Sequence, residues 1–150
     1  MPTLNILDLA QWFLEKEAME HQRIQKLCYF AVAWHYAINE EPLVNNDTFQ
    51  AQVHGPASPI LWEKYHEYMI EKYPKQDTIT DFGKVTEQFL EMIYSWYSNY
   101  STHNLEILSQ YGDPWIKARG NLKEIDAGYT FIDTNAVSYT HLTLPTKRIV

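Results

Sequence analysis

The side chains in this sequence able to do chemistry are its histidines, one cysteine and a set of glutamates at helical spacing. His35, His54 and His66 lie on or beside apolar stretches, where an imidazole can act as a general base or bind a metal. The supporting pattern is missing. No two histidines stand four apart with a glutamate between them, and there is no Gly-x-Ser-x-Gly elbow and no glycine-rich phosphate loop. Lone histidines in such settings are ordinarily hydrogen-bonded structural residues, so neither catalytic nor metal-binding residues are assigned. A small hydrolase would have to pair His54 or His35 with a nearby carboxylate. Cys28 sits inside an apolar run and reads as a small buried hydrophobe. Glu63, Glu67 and Glu71 recur every four residues, either as a solvated helix face or as charges kept to meet a basic partner.

These residues must be positioned by helices. Glu20 to Ile38, EHQRIQKLCYFAVAWHYAI, is the longest apolar helix pattern in the chain. Ile24, Leu27, Cys28, Ala31, Trp34 and Ile38 follow one face, and from Leu27 onward the other faces are apolar as well. A helix apolar all round must be enclosed by protein, so this is the expected central core helix. The apolar run falls short of the roughly 20 residues that span a bilayer. Leu27, Ala31 and Trp34 should be enclosed, whereas Gln25, Lys26 and Tyr29 are placed to border the turn at His54-Gly55-Pro56.

In chain order, Asn5 is an N-cap with Asp8 three residues on, opening a first helix to about Glu17 with Ile6, Leu9, Ala10, Phe13 and Leu14 inward. Asn39 to Asp47 is rich in turn formers, and Phe49, Ala51 and Val53 then alternate with Gln50 and Gln52 as in a half-buried strand. Ser58 caps and Pro59 opens a third helix to about Tyr73, with Leu61 or Trp62, Tyr65, Met69 and Tyr73 inward. Lys75 to Gly83 reads as a mobile connection. A fourth helix, from about Lys84 to Tyr100, carries Val85, Phe89, Met92, Ile93, Trp96, Tyr97 and Tyr100, a stripe read as core. Ser101 or Thr102 caps a short helix with Leu105 and Leu108, and Asp113-Pro114-Trp115 repeats the cap-then-proline device before Ile116 to Arg119. The 150 residues make one mainly α domain around a buried central helix, with a short strand or hairpin between the second and third helices. A net charge of −7 argues against general nucleic-acid binding. The single cysteine and the absence of a basic leader point to a reducing, cytoplasmic setting.

Three blocks in order resemble a known family. Gln25-Lys26-Leu27-Cys28-Tyr29-Phe30 with Trp34-His35 is similar to the QKLLYF...WH signature of the Panacea domain, the SocA-like and GepA-related antitoxins. Ala51-Gln52-Val53-His54-Gly55-Pro56 is similar to that family's A-x-x-x-G-P segment, and Leu108-Ser109, Asp113-Pro114-Trp115 and Ala118-Arg119 resemble its third block. Gln110 stands where the family usually has histidine, so no role needing an imidazole is carried over there.

The resemblance implies a type II antitoxin, not an enzyme, that neutralises a cognate toxin encoded beside it in bacterial or prophage DNA by direct binding. The alternative it implies is an adaptor delivering a toxin to an ATP-dependent protease. No cofactor and no membrane attachment are expected, and no autonomous nucleic-acid binding, since the chain begins at the domain itself with no room for an added helix-turn-helix. The expected partner-binding or signature residues are Gln25, Lys26, Tyr29, Trp34, His35, His54, Gly55, Pro56, Asp113, Pro114 and Trp115. Residues 1–136 form the expected domain, truncated at its C-terminus, with Ile132 to Ala136 starting a last family helix capped by Asp133 or Thr134. Residues 137–150, beginning VSYTHLTLPT, resemble the translation of a transposon-end adapter used in preparing sequencing libraries, and are expected to be a non-native tail.

Overall fold

The computed structural model describes residues 4–46, 48–52, 54–77, 80–110 and 131–132. Among them run α1 (Ile6–Lys16), α2 (His21–Asn39), β1 (Phe49–Gln52), β2 (Gly55–Ala57), α3 (Pro59–Tyr65), α4 (Lys84–Tyr97), α5 (Thr102–Ser109) and β3 (Phe131–Ile132). The fold is mainly α, and α2 is its axis: α1, α3, α4, α5 and β2 all pack against it.

Local chemistry explains most of the boundaries. The Asn5 side chain accepts hydrogen bonds from the backbone N–H groups of Leu7 and Asp8 at 2.9 and 3.0 Å, and the Asp8 carboxylate accepts from Asn5 N at 3.0 Å. This capping box satisfies the free donors of the first turn of α1. All five expected inward residues of α1 are buried, and so is Trp12, whose indole N–H lies 3.1 and 3.0 Å from the two carboxylate oxygens of Glu87 on α4. Ser58 accepts from Leu61 N at 3.3 Å with Pro59 in the first turn of α3, and Ser101 accepts from Asn104 N at 3.1 Å at the start of α5.

Every residue of α2 from Ile24 to Trp34 is buried. Ile38, expected on the inward face, is 44% exposed, because the last turn of the helix emerges from the protein before Glu40 closes it in the left-handed region at φ 56°. Polar residues are buried in this helix too. Arg23 donates from its guanidinium to Glu17 Oε1 at 3.1 Å, Tyr100 O at 2.7 Å and Ser98 O at 2.9 Å. It thereby closes the carbonyl end of α4, where a cation is favoured.

The third helix is shorter than the expected span to Tyr73, ending at Tyr65. The following backbone is drawn off to pair with the entry to α2: His21 N donates to Tyr68 O at 2.7 Å, and Met19 and Tyr73 exchange bonds of 3.0 and 2.6 Å. These bonds serve α2, whose N-cap Glu20 makes no side-chain cap bond. Leu61 and Tyr65 are buried as expected, Tyr73 is half-buried, and Trp62 and Met69 are exposed. Glu67 and Glu71 therefore lie beyond the helix, and the three glutamates do not form one helical face.

In α4 the fully buried arc is Leu90, Ile93 and Tyr97, and Val85 is 81% exposed. The aromatic stripe is core: Phe30 and Tyr97 stack with centroids 4.3 Å apart, and Trp34 donates to the Tyr97 hydroxyl at 2.7 Å. The connection from Lys75 to Gly83, expected to be mobile, is tied down near both ends, by Gln76 N bonding to Leu14 O at 3.0 Å and by the burial of Phe82.

The strand expected at Phe49 belongs to a three-stranded antiparallel sheet ordered β2-β1-β3. Ala51 pairs with Pro56 and Gln52 with Gly55 on one side, and Phe49 pairs with Ile132 on the other. Ile132, the residue before the caps expected at Asp133 or Thr134 for a last helix, is in strand β3, and those caps lie outside the described residues. Val53, Asp113 to Arg119, Asp133 to Ala136 and the expected tail from Val137 lie outside the described residues.

Candidate functional site: the junction of α2 with the hairpin

The β1–β2 hairpin docks on α2 through buried side-chain groups. Gln25 Oε1 accepts from Ser58 N at 2.7 Å while Gln25 Nε2 donates to Ser58 O at 3.0 Å. The same amide nitrogen lies 2.9 Å from His21 Nε2. An amide NH₂ can only donate, so this ring nitrogen accepts and the His21 proton resides on Nδ1, 3.3 Å from Met69 Sδ. Burial, with the nearby Lys26 and His66 charges, lowers the His21 pKa to about 4, which keeps the ring neutral at physiological pH.

One turn after Gln22, Lys26 is fully buried and donates to Pro56 O at 3.0 Å. Desolvation lowers its pKa to about 7, an effect that the charge of Glu106 partly offsets. Gly55 allows this approach. It has φ +105°, and a Cβ there would meet Ser109 Oγ at 2.4 Å and Lys26 Cε at 3.3 Å. Ser109 Oγ donates to Glu106 O at 2.7 Å, and the Glu106 carboxylate is 3.5 Å from His54 Nδ1 at the hairpin turn. Residues from α2, β2 and α5 therefore meet at one glycine.

Of the expected site residues, Gln25, Lys26, His54, Gly55 and Pro56 are brought together, though Gln25 reads Ser58 rather than the turn itself. Tyr29 borders β1 instead, buried edge-on against Phe49 with ring centroids 5.3 Å apart, and burial raises its pKa. Trp34 is enclosed with Tyr97 and Trp96, and Leu27 and Ala31 are buried. His35 is elsewhere, with Nδ1 2.7 Å from Glu41 O beyond the end of α2 and its ring edge-on to Phe89. His66 has its own partners, Trp62 O at 2.8 Å and the stacked Trp62 ring. The three histidines thus have separate surroundings, and no group of three metal-binding side chains occurs among the described residues. Asp113, Pro114 and Trp115 lie outside them. Burial holds the Cys28 thiol far above its ordinary pKa, as expected of a core residue.

Beside this junction is a cavity of about 420 Å³, walled by His21, Gln22 and Lys26 of α2, Gln50 and Gln52 of β1, and Trp62 and Met69 after the α3 cap. His21, Gln22 and Glu106 were not marked by the sequence reading, and Ser109 only as part of the third family block. A signal existed for the first two, since His21 with Gln25 and Gln22 with Lys26 repeat polar groups at i, i+4 in the first turns of an otherwise apolar helix.

A mainly α domain in which a central helix holds a small hairpin through buried polar contacts, beside an open cavity, is the class that the fold and site define. The sequence model described as antitoxin SocA-like, Panacea domain, matches residues 24–116, more than half of the chain, and the chain belongs to that family. No curated protein and no solved structure matches it. The matched stretch contains Gln25, Lys26, the hairpin and Ser109, whereas His21 and Gln22 precede it. Among the described residues no helix is long and apolar enough to cross a membrane.

Proposed function

We propose that this chain is a cytoplasmic antitoxin that neutralises a cognate toxin by direct protein–protein binding. The observation carrying this reading is the family match over residues 24–116. The surface beside the hairpin supports it. Trp62, Met69 and Ile70 are 54, 48 and 93% exposed next to the exposed carboxylates of Glu63, Glu67 and Glu71. Exposed aromatic and aliphatic side chains supply anchors at interfaces, and an acidic surround steers a basic partner. The toxin contact is assigned to this face together with His54, Gly55 and Pro56, with Asp113, Pro114 and Trp115 retained as candidate contacts.

The test is coexpression with the product of the adjacent reading frame in a bacterial host. Growth should be rescued, the two proteins should copurify at fixed stoichiometry, and association should slow as salt rises, since surface charges are screened beyond about 8 Å at physiological ionic strength. Trp62→Ala should weaken the complex more than His54→Ala. Continued toxicity with both proteins soluble and no complex on size exclusion would remove the antitoxin reading.

A further inference from the structure

The cavity beside the hairpin is out of character with the rest of the chain. The protein carries a net charge of −7, yet among the described residues the cavity lining includes no aspartate or glutamate, and its titratable members are Lys26, His21 and His54. Its volume of about 420 Å³ falls within the roughly 300–1,000 Å³ of small-molecule sites. On its polar side the buried Lys26 ammonium has one hydrogen-bond acceptor among the described residues, Pro56 O, although it has three protons to give. One turn away on the same helix face, Gln22 Oε1 is buried with no hydrogen-bond partner among the described residues, and a half-turn of that amide would present its NH₂ instead. On the other side stand the apolar surfaces of Trp62 and Met69.

We propose that this cavity binds a carboxylate carried on an aromatic or aliphatic body, with the carboxylate facing Lys26 and Gln22 and the body lying against Trp62 and Met69. An incoming carboxylate supplies acceptors for the ammonium protons that Pro56 O leaves unmatched and adds to the charge of Glu106, and it occupies the unmatched end of Gln22. A neutral ligand of the same shape offers the ammonium only a dipole, whereas the acid adds the attraction of an opposite charge in a largely desolvated setting. Free organic acids and the acidic residue or chain end of a bound protein share this chemistry. The inference does not depend on toxin neutralisation, because the cavity belongs to the isolated chain.

The test titrates hydrocinnamate and its neutral amide, hydrocinnamamide, into the full chain by calorimetry, with the Trp62 indole followed by NMR. The acid should saturate below about 1 mM and bind at least about tenfold more tightly than the amide. Trp62→Ala, a change at an exposed side chain, should weaken both ligands, and Lys26→Met should abolish the preference for the acid. If Lys26→Met does not fold, the comparison of acid with amide on the wild-type chain decides alone. Equal binding of the two, or no saturation by the acid below about 10 mM, overturns the proposal. Repeating the titration on a copurified complex separates the sources: exclusion of hydrocinnamate means that the partner's own carboxylate fills the cavity, and retained binding assigns the cavity to free acids.

Discussion

Among the described residues Lys26 donates to a single carbonyl while fully buried, and this makes the stability of the fold depend on pH in a defined direction. Its pKa is lowered from 10.5 to about 7, so between those values the unfolded chain binds a proton that the folded chain does not. Stability therefore rises with pH across this window and is lost as pH falls toward 7. From pH 7 to 8, below the ordinary pKa values of cysteine and tyrosine in the unfolded chain, the urea midpoint of the wild type should rise by an amount corresponding to about 1 kcal/mol. The Lys26→Met midpoint should stay nearly level. The groups facing Lys26 are His21 on its own helix, His54 at the hairpin turn and Glu106 on α5. Of these, His21 acts in a separate window, where stability falls as pH drops from 6.5 to about 4. Trp34 is the opposite kind of residue, an enclosed indole bonded to Tyr97. Trp34→Ala should cost about 3–5 kcal/mol by leaving a large cavity, read as a fall in denaturation midpoint and accompanied by loss of function through unfolding. Burial of the apolar residues was legible in the spacing of α2. Burial of Lys26 was not, because a lysine on a helix is ordinarily solvated and only the hairpin, placed by tertiary packing, covers this one.

At the level of elements, helix starts were more legible than helix ends. Asn5, Ser58 and Ser101 cap as their side-chain chemistry predicts, since a cap is a contact made within three residues. The end of α3 was misread because the apolar spacing runs on through Met69 and Tyr73. What buries Tyr73 is its pairing with Met19, a contact 54 residues away that no local pattern announces. The docking of the hairpin has a specific test in Gln25, whose amide both donates to and accepts from the Ser58 backbone. Gln25→Glu keeps the shape but sets a carboxylate oxygen against the Ser58 carbonyl. It should destabilise the fold by about 1–3 kcal/mol in chemical denaturation at neutral pH. Ser58→Ala leaves both Gln25 bonds in place and removes only the cap on Leu61 N, costing about 1 kcal/mol. Equal losses in the two variants would show that the amide does not hold the hairpin.

For the molecule as a whole, α2 as organising axis and the mainly α class were legible from composition and periodicity, while the cavity was not, because its walls come from α2, β1 and the segment after β2. The tail beginning VSYTHLTLPT remains a proposal: deletion of residues 137–150 should leave the thermal midpoint and partner binding unchanged, and a clear loss of either would make that stretch part of the native domain. The sheet has a further consequence. Its middle strand, β1, is flanked on one side by a hairpin neighbour close in sequence and on the other by β3 at Phe131–Ile132. A polypeptide ending at Gln110 would retain all five described helices and the hairpin but expose the Phe49 and Gln50 side of β1 as an open edge, and unpaired edges recruit strands from other chains. Such a fragment should form concentration-dependent oligomers in light scattering where the full chain does not. During synthesis the same open edge would persist until residue 132 has left the ribosome, a period in which β1 is free to pair with a neighbouring nascent chain.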